Sequence, residues 1–410
     1  MNLNVGIIHL PNAGSTTLLN LLSPTDSKKR HATDPSFFTT MQPQSCSVDV
    51  SNEITQYIVQ HVLHGDIDQF EFTSISYFSF PALIHSHPLS SPTISALANM
   101  DVILYLLRAY DNSLITHYYN LIDPREEFKS LYLELAQQDL YKMKNIIQKN
   151  LRHKSQENLA EIEILVGFWN YMSGHSSNTL SLQDILTSKM VCGIQSCMHL
   201  NQANWSAEEQ RVLVKYDFLT WKSCMCLMNV NELMYLRQRS PLFDQFMEFF
   251  GDCGIRMDTY LISLDFEVKF QKFDSEEFRL ANPNLQSLLP RIHQLVIAAH
   301  HSIHFYTVDS LTRRASMMYV HQGTTAVEAA ALVHQDVSAG FIAAEVLSFE
   351  DLAQHGDWES ARLFGKVRQV GKRYELNDGD LVQFVYRAPP PASELTKPHF
   401  NRNSCPVLRS

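Results

Sequence analysis

No glycine occurs between residues 66 and 166 of this 410-residue chain. Loops in that stretch must turn without the residue that most readily takes a positive φ, which excludes a glycine-rich switch there. The seven cysteines (46, 192, 197, 224, 226, 253 and 405) include no C-x-x-C pair. Buried free thiols in a reducing compartment are therefore expected, rather than a metal knuckle or dithiol centre. Positive charge is not in excess either: 33 Lys and Arg against 43 Asp and Glu leave a net charge of -10, so any contact with nucleic acid must be local. Long apolar runs are missing. The longest clean run in the middle of the chain, Val102 to Leu107, is only strand-length, and no basic segment precedes an apolar stretch at the N-terminus. The expectation is a cytoplasmic chain without membrane association. His85 and His87 form an H-x-H without acidic or cysteine companions, and the run from His300 to His304 shares that lack; both read as loop or helix-end histidines.

What is present is 45% hydrophobic and 10% aromatic, enough for substantial cores. Strand-like runs at Leu3–Leu10, Phe70–Ser76, Val102–Leu107, Met225–Val230 and Tyr260–Leu264, with helical patterns between several of them, predict an α/β fold with a parallel sheet covered on both faces. Between Asp123 and Tyr216 the gap is too long for a simple crossover. Helical patterns such as EEFKSLYLELAQQDLYKMKNIIQKNL predict a helical hairpin inserted there. Six of the 14 glycines fall between Gly323 and Gly379, in short turn-separated segments of a small final domain. The predicted divisions are an α/β domain in two parts (1–124 and 216–302), an inserted helical arm (125–215), a small domain (303–388) and a disordered tail (389–410).

The opening stretch, VGIIHLPNAGSTTLLNLL, has the order of a phosphate-binding strand, loop and helix. The pattern G-x-x-x-x-G-K-[ST] puts glycine at His9 and Gly14, lysine at Ser15 and a hydroxyl at Thr16. Two of these four positions depart from it. Gly14 permits close backbone approach, and the amides of Asn12 to Thr17 at a helix N-terminus suit an anion. The lysine's charge is missing.

The segment from His321 to Phe384, with HQD at His334 to Asp336, GFIAAEV from Gly340 and DGD from Asp378, closely resembles the TGS domain that ends the Obg-like ATPases, the YchF family of P-loop proteins. GIIHLPNAGSTTLLN, DPREEF before the helical insert and FLTWKSCMCLMNVNE after it extend the resemblance from about Asn4 to Arg387. It implies a GTPase-like α/β domain, an inserted coiled-coil arm, a β-grasp TGS domain, ATP or GTP as ligand, hydrolysis, and association with ribosomes. Against the family's loop, Asn12, Ala13, Gly14, Ser15, Thr16 and Thr17 are the candidate phosphate contacts, with Ser15 in the place of the lysine. Thr16 and Thr40 are the candidate magnesium hydroxyls. Matching EFTSISYF to the family's E-F-V-D-I-A-G-L puts Ser74 where an aspartate orders the metal and Tyr77 where a glycine senses the terminal phosphate. Asn229 and Glu232, in the family's N-x-x-E, are the candidate base contacts. Lys142, Lys144, Lys149, Arg152 and Lys154 are candidates for RNA phosphates, or else a solvated helix face.

The expectation is a monomeric degenerate member of that family, with hydrolysis impaired or lost and magnesium contributing little. An active hydrolase with a non-standard loop and a nucleotide-free scaffold stay open as alternatives.

Overall fold

The computed structural model describes residues 2–23, 44–83, 89–112, 122–152, 155–173, 180–187, 199–273, 287–309 and 314–387. Thr40, His85, His87, Lys154 and the tail from 389 lie outside them. Twelve strands are present among the described residues: β1 (Leu3–His9), β2 (Gln44–Asp49), β3 (Phe70–Glu71), β4 (Ser74–Ser79), β5 (Val102–Ala109), β6 (Ser223–Val230), β7 (Thr259–Ile262), β8 (Ser302–Asp309), β9 (Arg314–His321), β10 (Phe341–Leu347), β11 (Arg368–Val370) and β12 (Leu381–Tyr386). They divide between two compact units, residues 2–50 with 73–302, and residues 51–72 with 303–387, each taken over its described residues.

The first unit holds a sheet in the order β2-β4-β1-β5-β6-β7, in which only β2 runs antiparallel to its neighbour. All eight residues of β5 are buried, which is why its sequence from Val102 to Leu107 is apolar without alternation. Successive side chains point to opposite faces. Val5, Ile7, Leu104, Leu106 and Leu227 meet the helices Ser15–Leu22 and Leu289–Ala299, while Ile8, Ile103, Tyr105, Leu107 and Met228 join the other core.

That second core continues without a break into the inserted helices Pro124–Arg152 and Gln156–Met172. Phe128, Leu131, Tyr132, Leu135, Met143 and Ile147 share one cluster with Tyr105 of the sheet and with Ile162, Leu165 and Phe168. Burying each such side chain contributes about 1.5–3 kcal/mol. The region 125–215, expected to be an arm of its own, is thus packed into the α/β unit, because its apolar stripe recurs along the whole of the 29-residue helix.

The strand expected at Phe70–Ser76 is two strands that go to different sheets: β3 belongs to the second unit and β4 to the first. The division of 1–124 therefore needs correction, since 51–72 folds with the C-terminal residues. There the sheet order is β11-β10-β12-β8-β9-β3, with β8 and β12 parallel at its centre. The helix Ala326–Val333 lays Ala326, Ala329 and Ala330 over Phe305, Val320, Ala344 and Val382. A capping box of Thr325 and Glu328 starts this helix by satisfying donors that its first turn leaves over.

Candidate nucleotide site

β1 stops at His9, and the chain turns through Asn12 at φ 64° and Gly14 at φ 104° into the helix that begins at Ser15. Both positive values suit their residues: Asn tolerates the left-handed region and Gly occupies it without cost. Gly14 is fixed twice over, because a Cβ there would lie 2.5 Å from Leu264 Cδ1. No side chain caps the helix and no acidic residue occupies its first turn, so the loop keeps the character of an anion-binding N-terminus. Ser15 itself is buried at 5% exposure.

Two side chains hold this loop from the ends of neighbouring strands. Asn229, at the end of β6, donates from Nδ2 to the Ala13 carbonyl at 3.1 Å and accepts the Leu264 amide at 3.2 Å. It ties the loop to the residues after β7. Tyr110 donates its hydroxyl to the Asn12 carbonyl at 3.4 Å, and Arg108 lies 4.6 Å over the Tyr110 ring with Nε donating to the Tyr110 carbonyl. Arg108 is fully buried at the end of β5. Neither Arg108 nor Tyr110 is evident from motif spacing; the only signal is an arginine that closes an otherwise apolar strand.

Glu232 opens the helix Glu232–Leu236, next to the loop-holding Asn229, but its carboxylate is paired with Lys269 at 2.6 Å. Lys269 also bonds Asp265 at 2.8 Å, one turn earlier on its helix. Asn229 and Glu232 lie at adjoining element ends, and the sequence conceals the lysine that pairs with Glu232.

His9 faces away from any phosphate role. Its Nδ1 lies 2.9 Å from the Leu10 carbonyl and its Nε2 3.0 Å from that of Phe80. Burial holds its pKa below the ordinary 6.5, with the two carbonyl contacts opposing that shift. The Phe80 amide donates to the Ile7 carbonyl and the Leu83 amide to that of His9. Residues 80–83, which continue from β4, are thereby zipped onto the end of β1.

The strand register corrects the metal position. Leu3 pairs with Ile75 and Ile7 with Ser79, so Ser74 sits at the far end of β4 from the loop, and the residue beside the loop end is Ser79. Tyr77 is a core residue whose hydroxyl meets His293 Nδ1 at 2.8 Å, not a phosphate sensor. The match by sequence slipped by five positions because E-F at Glu71 and Phe72 anchored it, whereas FSFPAL, Phe78 to Leu83, fits the strand end. Ser79 therefore brings a hydroxyl, and no carboxylate, to the end of β4 beside the loop. Thr16 is half-buried in the first turn, and no group of three or more metal-binding side chains occurs among the described residues. Among the described residues the side chains beside the loop that could face a metal are the hydroxyls of Thr16 and Ser79, and the loop backbone has the shape that suits phosphate oxygens.

Of the candidate RNA contacts, Lys142 is committed elsewhere. Its ammonium donates to the Tyr216 carbonyl and, at 3.1 Å, to that of Asp217, and it lies 5.6 Å from the Phe218 ring centre. It closes the C-terminal end of the helix Ala207–Tyr216, so it is removed from the RNA candidates. Lys144 is half-buried; Lys149 and Arg152 are exposed in the last turn of the long helix. Among the cysteines, Cys226 is fully buried and burial pushes the Cys224 thiol up to about 12, in keeping with inert free thiols.

A family model for the YchF-GTPase C-terminal region, described as a protein of unknown function (DUF933), matches residues 302–386. Over 401 residues the chain is 27% identical to Obg-like ATPase 1 of Homo sapiens, covering 95% of this chain and 93% of that protein. The chain is a distant homologue of the Obg-like ATPases. Obg-like ATPase 1 of Oryza sativa subsp. japonica is 25% identical over 391 residues, covering 94% of this chain and 92% of its own. The Schizosaccharomyces pombe YchF GTPase structure superposes with a TM-score of 0.73 at 20% identity, covering 94% of this chain and 98% of that one, a likeness of fold. Leu3–Leu22 lies outside the matched family model, and its likeness to the solved structure is one of strand, loop and helix order.

Proposed function

We propose that this chain is a degenerate Obg-like ATPase homologue that binds ATP or GTP weakly, through loop amides, and has lost most or all hydrolysis. The observation that carries the reading is the pairing of a formed loop with an absent charge set: Asn12 and Gly14 hold the loop backbone, while Ser15 and Ser79 stand where a lysine and a metal-ordering aspartate belong. Asn12 to Thr17 would face the phosphates. Asn229 and Glu232 would lie on the side of the base, Glu232 only after release from Lys269. His9 and the zipped segment 80–83 favour one fixed arrangement over a phosphate-triggered motion.

With its last-domain sheet read as the β-grasp of a TGS domain, the protein would work through surfaces, as a monomeric cytoplasmic factor associated with ribosomes or RNA. The names of its relatives support this association only by kinship. Calorimetric titration with ATP, GTP and their diphosphates, with and without magnesium, tests the nucleotide part. Similar weak binding of di- and triphosphates, indifferent to magnesium, is expected; a strong magnesium-dependent preference for triphosphate refutes it.

A further inference from the structure

His304, the last histidine of the run from His300, lies near the start of β8 and is half-buried. Two partners from other parts of the same compact unit meet its ring. Asp378, in the turn before β12, lies 2.6 Å from Nδ1 and also accepts the His304 amide at 2.9 Å. Asn52, which caps the helix Glu53–Tyr57, brings Nδ2 to 2.9 Å from Nε2. The Asn52 amide group is oriented by its other contacts: Oδ1 accepts the Thr55 backbone amide at 2.9 Å and the Tyr306 hydroxyl at 2.7 Å. A backbone N–H can only donate, so Oδ1 must face Thr55 and the NH2 group must face the imidazole.

These contacts select one protonation state. An imidazole with its proton on Nδ1 donates to Asp378 and accepts from Asn52, which satisfies both. An imidazolium carries N–H on both nitrogens, so its Nε2–H would meet the Asn52 NH2 as donor against donor, and turning the amide over would break the cap. The other titratable groups on the elements packed here keep their charge near neutral pH. Burial pushes the Tyr306 phenol up to about 12 and also raises that of Tyr319, on β9. For Asp378 burial is outweighed by the His304 ring and amide, which hold its carboxyl below the ordinary range. Asp380, in the same turn, directs its carboxylate to Asn377 and Tyr374, and Glu53, in the first turn of the helix, is exposed. That helix has only five residues, too few to persist by propensity alone. It is anchored by buried Thr55, whose hydroxyl meets Tyr306 and Met317, and the segment continues into buried Ile58.

We propose that His304, Asp378 and Asn52 form a pH-sensitive clasp within this unit, closed while His304 is neutral and opened at the start of the helix Glu53–Tyr57 when the ring takes a second proton. Imidazole is the side chain whose charge ordinarily changes between about pH 5 and 8. Hydrogen exchange of the full chain, corrected for the intrinsic pH dependence of exchange, tests the clasp. Protection at Gln56 to Leu63 is expected to fall by about tenfold or more from pH 8 to pH 5.5, while β10 keeps its protection. Asn52→Asp keeps the capping oxygen and replaces the donor by an acceptor, so its protection is expected to rise, not fall, over the same range. His304→Gln, which takes no proton, is expected to give a flat profile. NMR of the ring nitrogens in the unmodified chain is expected to show Nε2 without a proton at pH 8. The proposal is overturned by an Nε2-protonated ring at pH 8, by a flat profile in the unmodified chain or by an equal loss of protection in β10. It is overturned as well by a slope of unchanged sign in Asn52→Asp or one that persists in His304→Gln.

Discussion

Replacing Ser15 by lysine restores the missing charge in a site that otherwise keeps its shape. A unit charge pair at about 4 Å and an effective dielectric of about 20 is worth roughly 4 kcal/mol. If the ammonium meets a phosphate, affinity rises by up to roughly a thousandfold. In the free protein the same group is a liability: Ser15 is 5% exposed, and a buried charge without a partner costs several kcal/mol. Ser15→Lys should therefore melt at a lower temperature than the unmodified chain without ligand and recover with triphosphate, since ligand stabilises by RT ln(1 + [L]/Kd). Hydrolysis should not return. Ser79 supplies no carboxylate to order a metal, and the bonds from Phe80 to Ile7 and from Leu83 to His9 hold the following segment down. Thermal melts with and without ATP or GTP, calorimetry and phosphate release measure all three consequences. Several turnovers per minute from this single variant would refute the reasoning, because then the other departures from the family's loop cost little.

Asp139 accepts bonds from the amides of Leu219 and Thr220 and from the Thr220 hydroxyl, so Asp139→Ala should cost about 3–5 kcal/mol in urea unfolding, and a loss below 1 kcal/mol would contradict that role. Burial lowers the His9 pKa from 6.5, which means the unfolded chain binds this proton more readily and stability declines as pH falls through 6.5; the stability gap between the unmodified chain and His9→Gln should narrow from pH 7.5 to pH 5.5, and parallel profiles would count against it. Comparing the two proteins cancels Asp139, whose pKa is raised to about 6 by burial and whose contribution is lost as pH rises through that value. Reversing Lys149 and Arg152 should reduce co-sedimentation with ribosomes without changing stability, while reversing Lys142 should destabilise the fold; a stable Lys142→Glu, or unaltered sedimentation of the first pair, would remove the basis for the distinction.

Much of the first unit can be read from apolar continuity. Strands β1, β5 and β6 sit within two residues of their expected bounds because each is buried on both faces and written in Val, Ile, Leu and Met. The loop was legible for a different reason: Gly14 is favoured by its φ of 104°, which side chains with a Cβ rarely adopt. What failed was register and partnership. EFTSISYF contains alternating side chains that fit a strand in either of two frames, and only pairing with β1 shows that Ser79, not Ser74, reaches the loop. Lys142 looked like its neighbours in a basic run. Its role depends on carbonyls 74 and 75 residues away, which no local pattern encodes.

The same limitation explains the misplaced domain boundary. Residues 51–72 have no composition of their own, and a helix of five residues with a two-residue strand gives hardly any periodic signal. Their allegiance is decided by Asn52 and Thr55 meeting Tyr306 and by Phe70 beside Ala315, contacts that span some 250 positions. An element that weak in local propensity is stabilised by tertiary packing, here against the strands β8 and β9 of its own unit. The loop geometry does not depend on a lysine at position 15, because Asn229, Tyr110 and His9 tie the loop to strand ends that the fold needs in any case.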